Sequence, residues 1–69
     1  MDISTKIRLA VAYRGITETE LARRLSMSPQ AFGQRLKTGK FSSADLDRIA
    51  AALGAKYECY YEFEDGQKI

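Results

Sequence analysis

Gln30, Gly33, Gln34 and Lys37 carry the chemistry this sequence offers most clearly. Spaced by three and four residues, they fall on one face of a helix, where they present amide and ammonium donors beside a bare backbone position. Such a face suits the edges of bases in the major groove of DNA. Gly33 is the odd member, because glycine costs about 1 kcal/mol inside a helix relative to alanine. A close approach of the backbone to DNA rationalises it; the competing explanation is that Gly33 packs against nothing and is tolerated. Catalytic chemistry is poorly provided for. The chain has no histidine, which excludes Ser-His-Asp and Cys-His nucleophiles and histidine-bearing zinc sites, and one cysteine cannot build a Cys-only metal site in a monomer. No phosphate-cradling glycine loop is present. An enzyme, a metal and a cofactor are all unexpected.

The net charge of +2 conceals an uneven distribution. Residues 1–56 hold ten Lys or Arg against five acids, whereas residues 57–69 hold one Lys against four. Between positions 23 and 40, Arg23, Arg24, Arg35, Lys37 and Lys40 stand with no acid among them, a footprint that phosphates favour and that a solvated basic surface also produces. Sixty-nine residues make one domain near the lower size limit for folding unaided, so support from a partner chain is anticipated. A lone Cys59 forms no internal disulfide, no apolar run reaches membrane-span length, and Met1–Ser4 lacks the basic-then-apolar pattern of a signal peptide. A cytoplasmic protein with no membrane partner is the expectation.

The elements that position this face are legible from period and punctuation. Ile3, Ile7, Ala10 and Val11 form one apolar stripe, predicting a first helix over 3–14 with Asp2 or Ser4 as N-cap and Gly15 as its stop. Thr17 and Glu20 have capping-box spacing and Ile16 and Leu21 staple spacing, which opens a second helix running to about Leu25 with Leu21, Ala22 and Leu25 inward. After Ser26-Met27, Ser28-Pro29 is an N-cap followed by proline at the first helical position. The third helix that starts there turns Ala31, Phe32 and Leu36 inward, and Met27 can staple onto Phe32. Phe41, Ser42, Asp45 and Leu46 repeat the same grammar for a fourth helix, with Leu46, Ile49, Ala50 and Leu53 inward and Gly54 as its C-cap. The segment from Thr17 to Gly39 therefore reads as a helix-turn-helix. Beyond Gly54 the period drops to two: Tyr57, Cys59, Tyr61 and Phe63 alternate with Glu58, Tyr60 and Glu62, predicting a strand, and Asp65-Gly66 offers a turn that folds Gln67–Ile69 back as a hairpin stub.

Over residues 5–54 the chain resembles the phage repressor and Cro-like (Xre) family of DNA-binding domains. The resemblance rests on Gly15-Ile16-Thr17, Glu20-Leu21-Ala22, Leu25, Ser28, Phe32, Leu36, Gly39 and the closing Ile49-Ala50-Ala51-Ala52-Leu53-Gly54, in this order and spacing. It implies a mainly α fold, a lambda-repressor-like helix-turn-helix domain of four helices over 1–56, with the C-terminal strand or short hairpin over 57–69 as a dimerisation element. It also implies that Gln30 and Gln34 read bases, each glutamine able to bond bidentately to adenine for about 1–3 kcal/mol of discrimination. Lys37 then meets guanine or phosphate, and Ser28, Lys40, Arg23 and Thr17 hold phosphates. Arg35 is assigned to structure, directed toward an acid such as Glu20, and Arg24 to solvent. Three departures stand out. Glu18 occupies a position where the family usually has a phosphate-holding Gln, Ser26 replaces the usual turn glycine, and a strand replaces the usual fifth helix.

An isolated strand is marginal in water and needs a neighbour. Pairing with the same strand of a second copy, with Tyr57, Cys59, Tyr61 and Phe63 pressed onto the helices or one another, gives a two-fold homodimer; a hairpin closed within the monomer is the alternative. Two recognition helices set some 34 Å apart favour a palindromic double-stranded operator. The expectation is thus a small homodimeric, repressor-like transcriptional regulator. A protein-interaction module, such as an antitoxin or adaptor that retains the helix-turn-helix scaffold and binds through Tyr60, Tyr61 and the acidic strand, is the competing class.

Overall fold

A computed structural model describes residues 2–69, which form a small, mainly helical domain. Its helices are α1 (Ile3–Arg14), α2 (Glu18–Arg24), α3 (Pro29–Thr38) and α4 (Ser43–Ala52). Each begins with the same device. Asp2, Thr17, Ser28 and Ser42 are extended residues whose side-chain oxygens accept from the backbone N–H three positions on, satisfying one of the donors a helix start leaves free. The Ser42–Asp45 box closes in both directions. The Thr17–Glu20 box is half formed: Thr17 Oγ1 accepts from the Glu20 N–H, but the Glu20 carboxylate instead accepts from Arg23 and Arg24. Two guanidinium groups within reach outcompete a single amide.

The helix ends are equally systematic. At the ends of α1, α2 and α4, Ile16, Met27 and Ala55 donate their N–H to carbonyls five residues back, on Val11, Ala22 and Ala50. This closure requires the residue just before the donor to be left-handed. Gly15 and Gly54 take that conformation at φ 77° and 67°, and Ser26 takes it at φ 59° as the one non-glycine residue with positive φ among those described.

The core gathers Ile7 and Val11 of α1, Leu21 and Ala22 of α2, Leu25, Phe32 and Leu36 of α3, and Ile49 and Leu53 at α4. Phe32, at 1% exposure, fills its centre. The expected staples Ile16, Met27 and Phe41 lie half-buried against this cluster. Ala10 and Ala31, expected inside, are exposed; a methyl group is too small to decide which way a helix face turns. Alone among the helices, α2 lies close along the other three, and none of the described helices is long and apolar enough to cross a membrane.

Four arginines tie the helices together. Arg24 Nη1 donates to the Ala52 carbonyl at 2.9 Å, Arg48 Nη2 to that of Leu25 at 3.1 Å and Arg14 Nη2 to that of Gly54 at 3.5 Å. All three acceptors belong to helix ends or the residues just past them. Arg24 is therefore a strut between α2 and α4 rather than a solvated charge. Arg35 pairs with Asp45 of α4 at 3.0 Å, not with Glu20. The same Asp45 oxygen accepts from the Ser42 N–H at 2.9 Å. That hydrogen bond, then the Ser42 hydroxyl and Arg35, hold the Asp45 carboxyl below its ordinary pKa, as the Thr5 N–H does for Asp2.

The strand expected over 57–63 does not form. Beyond α4 the chain runs without regular structure to Tyr60, because its backbone groups have no neighbouring strand to pair with. Pairing is limited to one antiparallel bridge, Glu62 with Lys68. It is flanked by reciprocal bonds between Tyr61 and Ile69 and by Phe63 N–H to the Gln67 carbonyl, around a turn at Asp65-Gly66. Cys59, Tyr61 and Phe63 are exposed and Tyr57 is half-buried, so none of the four residues expected at an interface belongs to the buried core of the single chain.

Between α1 and α4 the body keeps an open apolar groove of about 170 Å³. Its walls are Ile3, Ile7 and Ala10 of α1 and Leu46, Ile49 and Leu53 at α4; Tyr57, Lys6 and Lys56 also stand in its lining, and Lys56 pairs with Glu58 at 3.1 Å.

Candidate nucleic-acid interface

The outer face of α3 is built by what its inner face must do. Phe32 and Leu36 are buried, and the 3.6-residue period then turns Gln30, Gln34 and Lys37 to solvent in one row. Ser28 starts the helix, its Oγ accepting from the Ala31 N–H at 3.1 Å, and Pro29 supplies the first turn with a residue that has no donor to leave unpaired. Gly39, left-handed at φ 68°, ends it. The side chains of the row form no hydrogen bond or ion pair within the described residues, so their donors and acceptors remain available.

Gly33 sits in this face, and a methyl group built on it would meet nothing within 4 Å. Intramolecular packing thus gives no reason for glycine there. The bare patch of backbone it leaves lies beside Gln30 and Lys37, three and four residues away on the helix.

The electrostatic footprint is narrower than the sequence implies. Of the five cations between 23 and 40, Arg23 and Arg24 share Glu20, and Arg35 is held by Asp45. Lys37 and Lys40 are exposed and make no ion pair within the described residues. Arg8, which the sequence reading passed over, lies 3.6 Å from Glu18, and it lines the same shallow hollow as Lys37 and Thr38. The signal for Arg8 was weak, since its partner is ten positions away on another helix. The pairing matters because it offsets the carboxylate at the position where a phosphate-holding amide was expected.

Among the residues expected to hold phosphates, Ser28 and Lys40 flank α3, while Thr17 and Arg23 stand at the first and last turns of α2. The Oγ atoms of Thr17 and Ser28 accept from backbone amides and keep their own protons to donate. Comparison of the chain with protein-family models, with curated proteins and with solved structures finds no match.

Proposed function

We propose that this chain is a sequence-specific double-stranded DNA-binding protein: a small homodimeric transcriptional regulator, repressor-like, with a helix-turn-helix of the phage repressor and Cro-like type. The observation that carries this reading is the row Gln30, Gln34 and Lys37 on the exposed face of α3, bordered by the bare backbone at Gly33. α2 and α3, joined through Leu25–Ser28, serve as the motif, and α3 enters the major groove. Gln30 and Gln34 read base edges and Lys37 reaches guanine or phosphate. Ser28, Lys40, Arg23 and Thr17 fix the register on the backbone without reading sequence. The Arg8–Glu18 pair, between two half-exposed side chains, offsets the Glu18 carboxylate only in part.

Dimerisation through residues 57–69 sets two such helices about one DNA turn apart, some 34 Å, over a palindromic site. Selection of bound sequences from a randomised duplex library tests this directly. The expected result is a two-fold symmetric site whose affinity falls steeply with salt, and whose binding is abolished when Gln30, Gln34 and Lys37 are all changed to Ala. Changing Lys40 to Ala is expected to weaken all duplexes alike and reduce the salt slope by about 1 per site. Failure to bind any duplex at any salt overturns the reading in favour of a protein-interaction module.

A further inference from the structure

Arg8 belongs to α1, outside the α2–α3 motif, yet it stands beside it. It lines the shallow hollow that Asp2, Ser4, Leu36, Lys37 and Thr38 also line, so the first half of α1 and the last turn of α3 share one polar surface. A buried bond fixes the two walls relative to one another. Ser4, four residues before Arg8 on the same face of α1, donates its hydroxyl to the carbonyl of Leu36, the neighbour of Lys37. Gly39 packs so near this point that a methyl group built on it would lie 3.7 Å from the Ser4 Oγ.

The guanidinium of Arg8 is also free. Of the six arginines, the other five each donate to an acceptor within the fold, and Arg8 alone makes no hydrogen bond among the described residues. Its approach to Glu18, 3.6 Å from Nε with both side chains 49% exposed, is a screened Coulombic contact too long for a hydrogen bond. Asp2, the acid in the lining of the hollow, is already engaged, its carboxylate accepting from the Thr5 N–H at 2.8 Å.

We propose that Arg8 is a DNA-backbone contact supplied by α1, its guanidinium and the Lys37 ammonium taking one phosphate between them at the mouth of this hollow. This rests on the DNA-binding reading above and carries its contact surface beyond the motif. In a helix-turn-helix the first residues of the recognition helix meet base edges, which leaves the last turn of α3, where Lys37 stands, toward the sugar–phosphate chain. A guanidinium fork matches phosphate oxygens bidentately, and an ammonium adds a point charge. The carboxylate of Glu18 repels a phosphate, so α1 supplies the donors that the first turn of α2 lacks. Such a contact positions the protein on the duplex without reading its sequence.

A phosphate contact differs from mere neutralisation of Glu18 in what happens once Glu18 carries no charge. The test is fluorescence anisotropy of the full chain with the duplex selected above and with an unrelated duplex, across a range of salt, for the wild type, for Glu18→Gln, and for the double variant Arg8→Ala/Glu18→Gln. Both side chains are exposed, so circular dichroism should show unchanged helix content in each. With Glu18 already neutral, removing Arg8 should still weaken both duplexes by about eightfold at about 0.1 M salt and lower the salt slope by about 1, the counter-ion release of one phosphate contact. The affinity ratio between the two duplexes should hold. A double variant that binds as tightly as Glu18→Gln, with the same slope, means that Arg8 serves only to offset Glu18 and overturns the inference. A loss confined to the selected duplex belongs to a base contact and overturns it as well. Either result leaves the DNA-binding reading standing, whereas a wild type that binds no duplex at any salt overturns both.

Discussion

Ser4 donates its hydroxyl to the carbonyl oxygen of Leu36 at 2.7 Å, joining the first turn of α1 to the last turn of α3. Ser4 is 6% exposed, a buried polar side chain in an otherwise apolar contact. The carbonyl it serves is one of the final four of a helix, which lack intrahelical partners. Ser4→Ala is expected to lower stability by about 1–2 kcal/mol, since it leaves that carbonyl buried and unpaired. A urea titration followed by circular dichroism measures it; an unchanged midpoint would mean that water takes over the bond.

Ser26 offers the opposite opportunity. It occupies, at the end of α2, the left-handed position that glycine holds at the ends of α1 and α4. A side chain there is strained, whereas glycine adopts the conformation freely. After the extra freedom of glycine in the unfolded chain is allowed for, Ser26→Gly should raise stability by about 0.5–1 kcal/mol, or a few degrees in Tm. Differential scanning calorimetry at neutral pH decides the sign.

At Gly33 stability and function should separate. Open space around the position means that Gly33→Ala improves helix propensity without a clash, for a gain of up to about 1 kcal/mol. If α3 meets DNA with its backbone at this point, the added methyl group weakens binding to the selected duplex by about tenfold, equivalent to 1.4 kcal/mol. A more stable protein with unaltered affinity would remove the close-approach role from Gly33.

Acid should weaken the domain through Asp2 and Asp45. Both carboxyls are held below their ordinary value of 3.8 by hydrogen bonds made in the folded state, chiefly from the Thr5 and Ser42 backbone amides. A depressed folded pKa contributes stability that is fully present above the unfolded value and disappears as pH falls through the folded one. Stability should therefore be level above about pH 5 and fall below about pH 4. Asp45→Asn should be less stable than the wild type at neutral pH, with the difference closing toward pH 2. Denaturant midpoints measured across that range check it.

The four helices were legible in the sequence because each is bounded by residues with one mechanical purpose: Asp2, Ser28 and Ser42 as caps, Gly15 and Gly39 as stops. What the sequence hid was partnership across space. Arg35 looked toward Glu20 but found Asp45, Arg24 looked solvated but braces Ala52, and Arg8 drew no notice although Glu18 lies beside it. A window of neighbouring residues records charge but not which acid a fold brings near. The strand was misread for a related reason. Alternation over 57–63 describes a surface with two unlike faces, but a strand also requires a second backbone alongside, and the chain supplies one only from Gln67 onward.

Because the short helix α2 is the shared neighbour of α1, α3 and α4, losing it takes a packing partner from each of the others. The domain is therefore expected to open as one unit. Amide exchange in all four helices should proceed through the same global opening, with similar protection from end to end. Such a hub also makes the chain quick to assemble, since its helices pack mainly against near neighbours in sequence. A protein this small would then respond to damage in any helix as a whole, keeping the aim of α3 until the moment it loses everything.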